Sequence, residues 1–83
     1  MKLAKYTKFR EEKFGGVLFD TRSEKVFSLN ATAAALVRQL RSGCDEPGIV
    51  EHLKAHFNAA EGSIEREATS FITSLRQQGL VED

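Results

Sequence analysis

The stretch FGGVLFDTRSEKVFSLN, residues 14–30, limits the fold more than any other part of this chain. Two apolar runs, Val17-Leu18-Phe19 and Lys25-Val26-Phe27-Ser28-Leu29, flank the polar segment Asp20-Thr21-Arg22-Ser23-Glu24. Short runs rich in branched and aromatic residues read as strands, and a polar cluster between them reads as a turn. Three consecutive apolar residues at 17–19 favour a strand covered on both faces. Gly15-Gly16 opens the first run, where glycine suits a close backbone approach or a bulge. Before it, KYTKFREEK at 5–13 is charged but carries Tyr6 and Phe9, and reads as an edge strand. The first third is therefore an antiparallel meander of two or three strands.

After Leu29 the period changes from two to 3.6. Asn30 suits an N-cap, because its side chain can accept from an early helical N–H. Ala33, Leu36, Val37 and Leu40 then fall at i, i+3, i+4 and i+7, one apolar face of a helix ended by Ser42-Gly43. Asp45 can cap a second helix, with Pro47 tolerated in its first turn and Ile49, Val50, Leu53 and Phe57 as its buried stripe. Residues 58–62 read as a connecting loop. Ser63 is the expected cap of a third helix, with Arg66 where a capping box would place Glu or Gln. Its stripe is Ile64, Ala68, Phe71, Ile72 and Leu75. Gly79 suits the C′ position, with Leu80 touching Leu75 in a Schellman ending. Three strands followed by three helices give an α+β, winged helix-turn-helix-like fold: a three-stranded antiparallel sheet followed by three helices.

Eighty-three residues fit one domain spanning 1–83, with a thin core. The formal net charge is zero, which gives no bulk pull toward nucleic acid or anionic membrane. The charge is uneven, however. Residues 1–25 carry seven Lys/Arg against four Asp/Glu, whereas residues 30–83 carry five against eight. The basic hairpin would suit an acidic peptide, and it also fits a merely solvated strand face. The single cysteine, Cys44, cannot form an internal disulfide, which fits a reducing compartment. The N-terminus MKLAKYTKFREE lacks the apolar stretch of a signal peptide, and no run approaches membrane-span length. The expectation is a cytoplasmic protein.

The residues able to carry chemistry do not assemble into a catalytic pattern. His52 and His56 lie at i and i+4, and with Cys44 or Glu51 would make a metal site only if a third ligand were placed. The sequence His-Leu-Lys-Ala-His lacks the glutamate of a zinc protease. Cys44 follows Gly43 at a helix start, yet nothing marks a base or an oxyanion site for a nucleophile. Gly15-Gly16 leads into a strand and lacks the Lys and Ser/Thr of a phosphate loop. No enzyme, metal or cofactor is expected. As a DNA reader the third helix would present Glu65 and Glu67 on either side of Arg66, the wrong sign for phosphate.

The phrases Phe14-Gly15-Gly16-Val17-Leu18-Phe19-Asp20 and Val26-Phe27-Ser28-Leu29-Asn30, the helix starting Ala31-Thr32-Ala33, and the ending Phe71-Ile72-x-x-Leu75 with Gly79-Leu80-Val81 resemble the PqqD-like family. That family includes pyrroloquinoline quinone biosynthesis protein D and the wider class of RiPP recognition elements. The resemblance runs from residue 5 to 82 and rests on the ordered combination rather than on one motif. It implies a non-catalytic peptide chaperone. Such a domain binds the leader of a ribosomally made precursor and presents it to a modifying enzyme, often a radical S-adenosylmethionine enzyme. The leader would add as a strand to the third strand of the sheet and lie against the third helix.

Physical reasoning supports that mode. Strand addition draws affinity from backbone hydrogen bonds and selectivity from pockets for alternate side chains. The candidate edge is Lys25, Val26, Phe27, Ser28 and Leu29. Val26 and Ser28 point one way, and Lys25, Phe27 and Leu29 the other. On the third helix, one flank holds Glu67, Ser70 and Ser74, and the other Glu65, Thr69 and Arg76. The expected peptide-binding residues there are Glu67, Ser70 and Ser74, with Phe71 at the cleft floor. The alternatives are a small winged-helix DNA-binding domain and a homodimer, including a strand-swapped one, formed through the same sheet edge.

Overall fold

The computed structural model describes residues 1–57 and 62–82. In chain order the elements are β1 (Lys2–Leu3), β2 (Thr7–Glu12), β3 (Gly15–Asp20), β4 (Lys25–Leu29), α1 (Ala31–Arg41), α2 (Glu46–His56), α3 (Ser63–Gln77) and β5 (Val81–Glu82). The expected three-stranded antiparallel sheet is present in the order β2-β3-β4, followed by the three expected helices. A second, two-stranded sheet joins the chain ends, with Leu3 opposite Val81 and Lys2 opposite Glu82. Strands of two residues carry no readable period, so no local pattern announces this sheet.

The register of the hairpin explains its faces. Phe9, Leu18 and Phe27 form one cross-strand row, and Glu11, Gly16 and Leu29 another. These side chains face the helices, and Leu18 and Leu29 are buried among Ala34, Ala35, Leu36, Val37 and Leu40 of α1. The opposite face carries Lys8, Arg10 and Glu12 beside Val17 and Phe19. Leu18 is thus fully buried while Val17 and Phe19 are only half-buried. The run 17–19 is covered completely on one face, not on both. Its outer face is shielded in part by long charged side chains, whose stems lie along apolar surface.

Gly15 and Gly16 serve close approach, and the strand pairing through them is continuous, without a bulge. A Cβ on Gly15 would overlap Leu29 O and lie 3.2 Å from Leu29 C and 3.3 Å from Asn30 C. One on Gly16 would lie 2.8 Å from the Phe9 ring and 3.0 Å from Arg10 O.

Local capping fixes the helices. Asn30 Oδ1 accepts from Ala33 N at 2.8 Å, and Asp45 Oδ1 from Gly48 N at 2.9 Å. Each such cap contributes about 0.5–2 kcal/mol relative to alanine. The Schellman ending of α3 is formed: Leu80 N donates to Leu75 O and Gly79 N to Arg76 O, with Gly79 at φ 74°. Helix α1 ends the same way, Cys44 N donating to Gln39 O and Gly43 N to Leu40 O. The expected Ser63 cap is incorrect. The N-cap is Gly62, at φ 78° and with no side-chain cap hydrogen bond, and Ser63 is the first helical residue. A left-handed turn is needed here, and glycine takes that conformation at little steric cost. The rest of the expected 58–62 loop lies outside the described residues.

The core is a contiguous cluster centred on α1, which packs against β3, α2 and α3. Because α1 is covered on so many sides, Ala34 and Ala35 are buried beside Leu36, Val37 and Leu40, whereas Ala33 of the expected stripe is only half-buried and lines a cleft shared with α3. Two ion pairs tie the layers: Glu11 of β2 with Arg38 of α1, and Lys54 of α2 with Glu65 of α3 at 2.8 Å. The second pair holds the Glu65 carboxyl below its ordinary range, first through the Lys54 hydrogen bond and then through its charge.

Candidate functional site

Strand β4 is an edge of the main sheet. It pairs with β3 on one side only. Leu29 O is directed at Gly15 of β3. Backbone groups alternate in direction along a strand, so Lys25, Phe27 and Leu29 direct theirs at β3. Val26 and Ser28 then direct their N–H and C=O groups outward. The side chains divide as the alternation predicts. Leu29 is buried and Phe27 half-buried against the core, while Ser28 is exposed and Val26 is 60% exposed. Lys25, at the turn end, is exposed. A strand edge whose backbone groups are left unpaired can accept another strand.

A cleft of about 530 Å³ begins where β4 ends. Asn30, Thr32, Ala33 and Leu36 line it from the start of α1. Arg66, Glu67, Ala68, Ser70, Phe71 and Ser74 line it from α3, and Leu53 of α2 reaches it from below. Leu36, Leu53 and Ala68 are buried, so the floor is apolar, and half-buried Phe71 forms a wall. The polar rim consists of Asn30, Thr32, Arg66, Glu67, Ser70 and Ser74. A concave apolar floor with a sparse polar rim is the usual build of a ligand site.

Of the expected residues, Glu67, Ser70, Phe71 and Ser74 share the cleft. Lys25, Val26, Phe27, Ser28 and Leu29 do not line it, and Asn30, the residue after β4, is where strand and cleft meet. The opposite flank of α3, holding Glu65, Thr69 and Arg76, does not line the cleft. Sequence reasoning passed over Asn30 and Thr32 as lining residues because Asn30 had already been given a role as a cap. In sequence, Arg66 reads only as the residue that leaves the capping box incomplete and as a cation flanked by Glu65 and Glu67.

The remaining chemistry-bearing residues are engaged with one another. The His52 and His56 rings stack at 4.1 Å between centroids. Gln39 Nε2 donates to His52 Nε2 at 3.2 Å, and His56 Nδ1 to His52 O at 2.9 Å. Cys44 Sγ donates to Gln39 Oε1 at 3.5 Å. Among the described residues no three His, Cys, Asp or Glu side chains gather in a way that could hold a metal ion. No helix among them is long and apolar enough to cross a membrane.

The chain thus sets an open sheet edge beside a helical cleft on a winged-helix-like frame. The family described as coenzyme PQQ synthesis protein D (PqqD) matches residues 15–81, and this chain belongs to that family. Two solved structures are similar over nearly its whole length. One, TbiB1 in complex with the TbiA(beta) leader peptide, is 22% identical, with 99% of this chain and 95% of that chain covered and a TM-score of 0.88. The other, a lasso peptide synthetase B1 complexed with the leader peptide, is 27% identical, with 99% and 96% covered and a TM-score of 0.83. The first of these shows the shared fold alone. Comparison with curated proteins gives no match.

Proposed function

We propose that this protein, as one domain, is a non-catalytic peptide chaperone for the leader of a ribosomally synthesised precursor. The observation that carries this reading is the outward-facing backbone of Val26 and Ser28 at an edge that leads directly into the α1–α3 cleft. A leader strand added along β4 would satisfy those groups, and its alternate side chains would fall over Phe71 and the apolar floor. Lys25, Val26, Phe27, Ser28 and Leu29 then supply the edge, and Glu67, Ser70, Phe71 and Ser74 the cleft. Family membership supports the same reading, as does the leader peptide held by the 27%-identical structure. The domain contributes binding and orientation. A separate modifying enzyme, in our reading a radical S-adenosylmethionine enzyme, contributes the chemistry and any cofactor, in the cytoplasm.

The test is a backbone-amide NMR titration of the labelled protein with the leader of the small peptide encoded beside its gene. Shifts concentrated at residues 25–29 and along 64–76, saturating at micromolar peptide, are the expected result. No shifts with that leader would remove the chaperone reading. Duplex DNA, with its steep salt dependence, and concentration-dependent self-association would then be measured for the two competing functions.

A further inference from the structure

The leader reading leaves open what chemistry the bound segment must carry. The cleft rim holds one cation, Arg66, and one anion, Glu67, on neighbouring positions of α3. Successive helical residues diverge by about 100°, so these two do not face each other, and no ion pair joins them. Three of the six arginines are engaged with carboxylates. Arg38 pairs with Glu11, Arg10 with Glu12 at 3.6 Å, and Arg22 with Asp20 at 3.9 Å. Glu65, next to Arg66 in sequence, is engaged by Lys54 at 2.8 Å and acts on Arg66 only at longer range. Among the described residues Arg66 has no carboxylate within ion-pair distance.

Stability does not account for this arginine. Arg66 lies in the opening turns of α3, four residues after the Gly62 cap. Cations there oppose the positive end of the helix dipole, and acids are the stabilising choice. An arginine that borders an apolar cleft with no carboxylate partner among the described residues is suited to an anionic partner. The guanidinium fork matches a carboxylate in two parallel hydrogen bonds.

We propose, on the basis of the leader reading, that Arg66 is a specificity-determining residue that selects leaders carrying an Asp or Glu beside their apolar anchor. The spacing follows from strand geometry. In an extended peptide, side chains two residues apart share a face and lie roughly 6.5–7 Å from each other. One cleft can therefore hold an apolar residue over Phe71 and, two positions away, a carboxylate at Arg66. The recognised segment has the form apolar-x-acidic, in either chain direction.

The test is fluorescence anisotropy with the labelled leader of the precursor encoded beside this gene, and with variants of it in which each Asp or Glu is changed to Asn or Gln. One neutralised leader is expected to bind wild-type protein about tenfold more weakly, in line with the loss of one charge-assisted pair. Arg66→Gln should weaken the unmodified leader by the same factor and be insensitive to that leader change. Arg66→Glu should recover affinity for the leader carrying Lys at that position. Arg66 is exposed, and Arg66→Lys, which keeps the charge without the fork, serves as the conservative variant and should fall between the two. Unchanged affinity of Arg66→Gln for the unmodified leader overturns this proposal alone. Failure of the wild-type protein to bind the leader overturns the leader reading and this proposal with it.

Discussion

Ser28→Pro tests the sheet edge most directly. The odd-numbered residues of β4 direct their backbone groups at β3, so the Ser28 N–H points out of the sheet. Proline there removes a donor that the protein's own strands do not use. It also restricts Phe27 to extended conformations, which that residue already adopts within β4. Folding stability is therefore expected to change by less than about 1 kcal/mol. An added strand loses one backbone hydrogen bond, about 0.5–1.5 kcal/mol. It also meets the pyrrolidine ring in the space it must occupy, about 4.7–4.9 Å from β4. A combined loss of about 1.5–3 kcal/mol corresponds to roughly a tenfold to 150-fold weaker complex. The assay is anisotropy with labelled leader, beside urea unfolding of the same variant, with Ser28→Ala as the control that keeps the N–H. A folded Ser28→Pro protein that bound the leader within about twofold of wild type would refute strand addition at this edge. A loss of several kcal/mol in stability would instead refute the assignment of which β4 groups face outward.

Two further predictions concern the frame that holds the edge. In Gly15→Ala the new Cβ meets only backbone, at Leu29 and Asn30, so the hairpin must separate from the start of α1 at a loss of about 1–3 kcal/mol. Gly43→Ala, with nothing within 4 Å but φ at 93°, should lose only about 1 kcal/mol. Equal urea midpoints for the two variants would show that the Gly15 contact yields without strain. The Asp20 carboxyl is held below its ordinary range, first by the Arg22 N–H that donates to Oδ1 at 2.9 Å, with Ser23 and the Arg22 charge adding to it. A carboxyl with a lowered folded-state pKa gives stability that is present above its unfolded pKa and lost as pH falls through the folded value. Melting temperature should therefore fall more steeply for wild type than for Asp20→Asn on acidification from about pH 5 to about pH 2. Parallel curves would remove Asp20 from that account.

Much of this architecture was legible because local signals and tertiary packing agree. Asn30, Asp45 and Gly79 each carry a side chain, or the absence of one, suited to a single position at a helix end, and each stands there. Phe71 was legible as cleft lining for a different reason. It sits at the margin of the α3 stripe, where a side chain can face both core and solvent. Ser63 misled because a serine before an apolar stripe looks like a cap, whereas the chain needed a left-handed residue one position earlier. The pairing of β1 with β5 joins residues nearly a full chain apart, and no local pattern encodes it. Arg66 was missed because its significance lies in what it does not touch, which depends on the placement of every other charge.

Asn30 ends the edge strand, caps α1 through its hydrogen bond to Ala33 N, and lines the cleft. One residue thereby joins the strand edge to the cleft through a capped, already ordered helix start. The ordering entropy of association then falls almost wholly on the peptide, at about 1–2 kcal/mol for each backbone residue immobilised. Binding should be driven by enthalpy against an unfavourable entropy that grows with the length of leader engaged, and accompanied by a negative heat-capacity change from the apolar floor. Stiffening a leader in its extended form would tighten the complex without adding a single contact.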